Sequence, residues 1–318
     1  MARAFASQAD TTDRHVTFSR VSENAYAFTA DGDPNTGVVV GDDAVMVIDA
    51  QATPRTAEAV IERVRSVTDK PVKYVVLSNF HALRTLGASA FAPHHVISSE
   101  ATRELIVERG TQDYRSEAQR FPRLFRAMDT IPGVTWPTMT FRDRMTIWLG
   151  KLQVDIIHAG RGHTKGDTVV WLPEERTLFS GDLVVAGAAP DAGDGHLQDW
   201  PRTLARLREF APLALMPGRG DPLIGEDAVG QGIADTEMFL NELYRAVAMS
   251  AEAGDALKQA YDKAMALLQP LYGTWALFEH VMPFNVSRAY DEAKGLDHPR
   301  LWTVERDREI WSVLEPEG

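Results

Sequence analysis

The chain contains no cysteine. Disulfides, thiolate metal ligands and a cysteine nucleophile are therefore excluded, and any metal must be held by histidine, carboxylate or amide groups. No apolar run approaches the ~18 residues of a membrane span, and the opening MARAFASQADTTD lacks the apolar middle of a secretion signal. The expected location is the cytoplasm, with no membrane partner. Basic residues are the scarcer charge, 33 Lys and Arg against 45 Asp and Glu, and the net charge of -12 argues against nucleic acid as a partner. Also missing are a G-x-S-x-G elbow, a P-loop and a G-x-G-x-x-G turn, so serine hydrolase, nucleotide hydrolase and dinucleotide enzyme fall well behind.

What is present suffices for a core. With 44% hydrophobic and 25% charged residues over 318 positions, the chain can build one large domain or two modest ones. Residues 16–50 read as short strands, with Gly41, Asp42 and Asp43 suited to a hairpin. PRTAEAVIERVRSV follows as a helix, with Thr53 as cap, Pro54 in its first turn, and Ala57, Val60, Ile61 and Val64 at helical spacing. VKYVVLS and HHVISS read as strands, and SEATRELIVER as a capped helix. Residues 111–137 are charged and irregular yet carry Phe121, Leu124, Phe125, Met128 and Trp136, which suits an insertion or lid rather than a linker. KLQVDIIHAG, DTVVWLP and RTLFSGDLVV return to strands, WPRTLARLREF is a helix, LALMPG a strand, and the pattern is helical from about 226 onward.

Three places hold the unusual residues, each directly after an expected strand. They are SNFHALRTLGA (78–88), HAGRGHTKGD (158–167) with SGDLV (180–184), and MPGRGDP (216–222). Strand ends followed by histidine loops commonly carry metal sites. The order and spacing of these loops, together with VMVIDA, resemble the metallo-β-lactamase superfamily over roughly residues 16–225. That resemblance implies a four-layer αββα sandwich. The expected organisation is an N-terminal arm (1–15), the metallo-β-lactamase-like domain (16–232, with 111–137 as insertion or lid) and a helical C-terminal extension (233–318).

In that family the first loop reads His-x-His-x-Asp-His, the second supplies a His, SGD an Asp, and the last loop reads Pro-Gly-His-Gly. Carried over position by position, Asn79 stands at the first His, His81 matches, Leu83 replaces the Asp, and Arg84 replaces the next His. His163 and Asp182 match, and Arg219 replaces the last His. One subsite thus keeps His81, His163 and Asp182 with an amide at Asn79, while the other loses all its own ligands. The resemblance therefore implies one Zn or Fe ion, or none, and not a two-metal reaction.

Two readings of the altered site stand at this point. Arg84 and Arg219 restore about the charge of the missing ion and could receive an oxyanion or clamp a carboxylate, with Asp182 and Asn79 completing the catalytic set. Alternatively, they only neutralise Asp182 in a metal-free pseudo-site, on a binding or scaffold protein. His158 and His196 are candidate substrate contacts lining the cleft and its Gly-rich rim, and Asp49 is expected to orient a loop. The leading function is hydrolysis of a small ester, lactone, thioester or similar substrate. The helical extension, rich in Phe239, Leu240, Leu243, Tyr244, Trp275 and Phe278, is expected to cover the cleft or to mediate a homodimer.

Overall fold

The computed structural model describes residues 6–314, so parts of the expected N-terminal arm and C-terminal tail lie outside the described residues. The chain opens with strands β1 (Val16–Arg20), β2 (Ala25–Ala30), β3 (Thr36–Val40) and β4 (Val45–Ile48), an antiparallel meander. Helix α1 (Pro54–Arg65) then crosses to β5 (Val72–Val76). Thr53 caps it as expected, its hydroxyl accepting from the Thr56 amide while the Thr53 amide donates to the Thr56 hydroxyl. A short helix α2 (Ala82–Thr85), β6 (His95–Ser99), α3 (Glu100–Arg120) and β7 (Met139–Phe141) complete the first half. The first sheet runs β1 to β7 in sequence order, parallel from β4 onward.

The second sheet holds β8 (Arg144–Leu149), β9 (Leu152–His158), β10 (Thr168–Leu172), β11 (Thr177–Gly181), β12 (Ala214–Pro217) and β13 (Leu223–Ile224). Strand alternation sorts the side chains into layers. Val39, Met46, Val76 and Ile97 face Val154, Ile156, Val170 and Phe179 between the sheets. Val38, Val47, Val75 and Leu77 face outward onto α1 and α3. On the far side, Val169, Trp171, Leu178 and Leu215 pack under α4 (Trp200–Glu209), α5 (Glu226–Glu252), α6 (Leu257–Tyr272) and α7 (Phe278–Ala293). The αββα architecture is as expected. The tail helices share one core with the second sheet, and α8 (Val304–Leu314) closes over α7 through Phe284, Trp302 and Trp311.

Two features correct the sequence reading. The helix expected to stop near residue 109 runs on to Arg120, so residues 111–120 are its second half rather than irregular chain. The buried stripe of that half is Asp113, Ser116, Glu117 and Arg120, which hydrophobic periodicity does not register. The second correction is β7 and β8, which the sequence did not announce. β8 is an edge strand with three of its six residues exposed, Trp148 among them.

Candidate functional site

The chemistry-bearing residues gather at one end of the sandwich. Asp49 follows β4, residues 78–84 follow β5, the loop between β9 and β10 carries His163, Asp182 follows β11, and Arg219 follows β12. Asn79, His81, Arg84, His163, Asp182 and Arg219 are all buried, none more than 9% exposed.

Arg84 organises the centre. Its Nε and Nη2 donate to the two oxygens of Asp182 in a bidentate fork, Nη2 also to the Gly218 carbonyl (2.7 Å), and Nη1 to the Asn35 carbonyl (3.1 Å) and Asp49 (3.3 Å). Gly218 is required by this approach, because a Cβ there would sit 2.4 Å from the Asp182 carboxylate. Asn79 donates its amide to Asp182 (3.0 Å) and turns its oxygen back to accept from the His81 amide (3.0 Å). Burial alone would raise the pKa of Asp182, but Arg84, His163 and Arg219 outweigh it and hold the carboxyl ionised. Asp49 anchors the loop after β5 by accepting from the Ser78 amide and hydroxyl (both 2.8 Å). Burial pushes its pKa up to about 6.

The two histidines are held differently. His163 donates Nδ1–H to the Asp191 carbonyl (2.7 Å), and burial depresses its pKa, so a lone pair remains on Nε2. That Nε2 lies 3.7 Å from Asp182, and the His81 and His163 rings are 5.0 Å apart. Behind His81 stand two carboxylates that sequence reasoning missed. Asp113 takes His81 Nδ1 (2.9 Å) and the Ala82 amide (2.7 Å), and Glu117 takes the Leu83 amide (2.7 Å) and lies 3.6 Å from His81 Nδ1. The three side chains offer ligand-type atoms within 4.8 Å of one another. Burial disfavours charge on His81, yet Asp113 and Glu117 push its pKa up to about 10. Their spacing of four residues on one face of α3 is the signal that could have revealed them.

Arg219 differs from Arg84. It donates Nη1 to the Gly32 carbonyl (2.8 Å), and among the described residues no carboxylate lies within ion-pair distance. His158 bonds the Lys165 carbonyl (3.1 Å) on its own hairpin. His196 is buried beside Phe80, Arg109 and Asp194 around a small cavity, with burial and two arginines lowering its pKa to about 4. Neither histidine has a hydrogen bond to the central cluster.

Among the described residues only His81, Asp113 and Glu117 bring three ligand-type atoms within 4.8 Å of one another, whereas His81, His163 and Asp182 do not close to that spacing. The Nε2 atoms of His81 and His163 are buried with no hydrogen-bond partner, and each ring is oriented through Nδ1, as metal-ligating histidines commonly are. Arg84 and Leu83, the residues that the resemblance sets at the positions of second-subsite ligands, are both buried. Asp182 is shared, since Arg84 and Asn79 already occupy its oxygens.

The sequence model of the metallo-beta-lactamase superfamily matches residues 29–216. Metallo-beta-lactamase type 2 from Bacillus cereus is 22% identical over 223 residues, 65% of this chain and 77% of that protein. The linear primary-alkylsulfatase of a Pseudomonas species is 22% identical over 220 residues, 58% of this chain and 41% of that protein. A metallo-beta-lactamase from Pontibacter korlensis superposes with a TM-score of 0.57 at 21% identity, over 71% of this chain and 99% of that one. A double mutant of the sec-alkyl sulfatase PisA1 reaches a TM-score of 0.69 at 17% identity, over 88% of this chain and 50% of that one. Residues 1–232 alone cannot supply the latter coverage, so the likeness runs into the helical tail.

Proposed function

Because this chain belongs to the metallo-β-lactamase superfamily, we propose that it is a hydrolase of that fold acting on a small ester, lactone, thioester or sulfate ester through at most one metal ion. The observation that carries the reading is the pair of buried, unpartnered Nε2 atoms on His81 and His163, the latter 3.7 Å from the Asp182 carboxylate. These three residues would hold the ion, which would have to draw their ligand atoms closer together than they stand. When bound, a single Zn or Fe ion would supply Lewis acidity and a water of lowered pKa. His163 is preset to offer a lone pair by its bond to the Asp191 carbonyl, while His81 gives up a proton on binding a cation. Arg84 keeps Asp182 ionised and immobile, and Asn79 fixes the same carboxylate from the other side. Fold likeness does not select among these substrates; the sulfate ester is included because two of the relatives are named for sulfatase activity.

The test is elemental analysis of protein dialysed without chelator, with turnover measured on a panel of these four substrate classes. One equivalent or less is expected, lost in His81→Ala and His163→Ala, together with chelator-sensitive turnover on at least one class. Two equivalents would overturn the reading. A second reading, a metal-free binding protein, draws on the complete engagement of Asp182 by Arg84 and Asn79. It is favoured by a metal-free protein with no turnover on any class.

A further inference from the structure

The two arginines at the emptied subsite have opposite surroundings. Arg84 is wholly buried and spends its fork on Asp182, Asp49 and two carbonyls. Arg219 is also buried, yet its one hydrogen bond is Nη1 to the Gly32 carbonyl, which leaves Nε and Nη2 without a partner. Burial lowers the pKa of Arg219, while Asp182, Asp33 and Asp191 act on it from beyond ion-pair distance and none of them takes up its free donors.

This guanidinium lines a cavity of about 100 Å³ walled by Phe121, Leu124, Ala276 and Leu277 and roofed by residues of the N-terminal arm. A second groove of about 470 Å³ lies beside it and shares Arg14, Asp31, Gly32 and Ala276 as a common wall. The other charges around the cavity are already matched. Arg123 holds Asp33 and Asp10, Arg14 also pairs with Asp10, and Asp31 is exposed at the rim, where water screens it. Arg219 is thus the arginine of the cavity whose donors are least engaged, against apolar walls.

We propose that Arg219 anchors the oxyanion head, carboxylate or sulfate, of a small ligand whose apolar stem lies against Phe121, Leu124 and Leu277. The inference rests on the hydrolase reading only for what happens to the ligand afterwards; binding stands on its own. A cavity of this size takes a head group and the start of a stem, since about 10–15 Å³ of such space already admits a water. A planar fork with two free donors matches two oxyanion oxygens, which ammonium or amide groups cannot do as well.

Calorimetry on the full chain with hexanoate, hexyl sulfate and the neutral hexanamide tests this. Hexanoate, hexyl sulfate or both are expected to bind, and which of them binds tighter identifies the head group. Hexanamide should bind at least tenfold more weakly than the better anion. Arg219→Met should weaken that anion about 10- to 100-fold, the range of a charged hydrogen bond worth about 1.5–3 kcal/mol. Leu124→Trp, which fills the cavity and leaves Arg219 in place, should weaken it by at least tenfold. Absence of binding by both anions, hexanamide binding as tightly as they do, or parental affinity in a folded Arg219→Met would each overturn the proposal. If Arg219→Met does not fold, unchanged affinity in Leu124→Trp overturns it alone. Anion binding without turnover or metal refutes the hydrolase reading and leaves this one standing; turnover with Arg219-independent binding does the reverse.

Discussion

Replacing Arg84 by methionine keeps much of its length and removes every donor. Arg84 is 0% exposed, and its loss leaves both Asp182 oxygens short of a donor, along with Asp49, the Asn35 carbonyl and the Gly218 carbonyl. Asn79 alone continues to donate to Asp182. Breaking a buried ion pair from one side typically costs about 3–5 kcal/mol, because the remaining charge stays buried. At about 2–4 °C of melting temperature per kcal/mol for a large domain, the midpoint should fall by on the order of 10 °C. Arg84→Lys keeps the charge but cannot reach two carboxylates and two carbonyls at once, so it should recover only part of that loss. Removing the other partner separates the charge pair from general damage. In a cycle of Arg84→Met, Asp182→Asn and their combination, the double variant should be more stable than the sum of the singles predicts, by about 2 kcal/mol or more. Recovery stays incomplete, since Asp49 and the two carbonyls remain unserved. Scanning calorimetry at fixed pH and salt is the assay. An Arg84→Met midpoint within about 2 °C of the parent, or an additive cycle, would refute the assignment of Arg84 as the structural keystone of the site.

Three further outcomes are expected. Asp113→Asn and Glu117→Gln should lower the affinity for a single added Zn ion by about 10- to 100-fold, the usual effect of losing an orienting partner behind a ligating histidine, read by competition with a chromophoric chelator; unchanged affinity would show that α3 does not orient His81. Burial raises the pKa of Asp167 to about 8, so the native state holds a proton that the unfolded state, with a pKa near 3.8, has released. That stability is complete below the unfolded pKa and is lost as pH rises through 8, so between pH 7 and 9.5 the parent should lose about 1 kcal/mol more than Asp167→Asn; parallel pH profiles of melting temperature would contradict this. Removing residues 233–318 exposes the faces of Trp171, Leu178 and Leu215 that now pack under the tail and should give aggregated protein, whereas a soluble, cooperatively melting truncation would mean that the tail is an appendage.

Most of the scaffold was legible because its signals are local and apolar. Thr53 with Pro54 announced α1, and Gly41-Asp42-Asp43 the turn between β3 and β4. The loops were legible because they follow strands in a recognisable order. What failed was whatever depends on polar burial or on sheet edges. The second half of α3 buries Asp113, Ser116, Glu117 and Arg120, a stripe that reads as solvated when only hydrophobicity is followed. β8 alternates as a half-buried strand should, but over only six residues and with the apolar Trp148 on its exposed face, which blurs the pattern. His158 and His196 were expected to contact substrate; His158 turns to the Lys165 carbonyl and His196 lines the small cavity beside Arg109, orientations set by packing that spacing does not encode.

In the sequence Arg84 and Arg219 look equivalent, two guanidiniums in place of two lost ligands. Their environments separate them by chain direction. Arg84 sits in α2, which Asp113 and Glu117 cap from behind, and its side chain is directed between β4 and β11, where carbonyls and carboxylates converge. Arg219 lies one residue past Gly218, beyond the point where β12 ends, and its backbone bridges Pro34 at the rim of the cavity. A divalent ion at this position would meet the demands of structure and of ligand together, because its coordination sphere has room for both. A guanidinium has a fixed fork and cannot. Dividing the task between one saturated arginine and one with donors to spare keeps positive charge facing Asp182, and the binding role we propose falls to Arg219, not to Arg84.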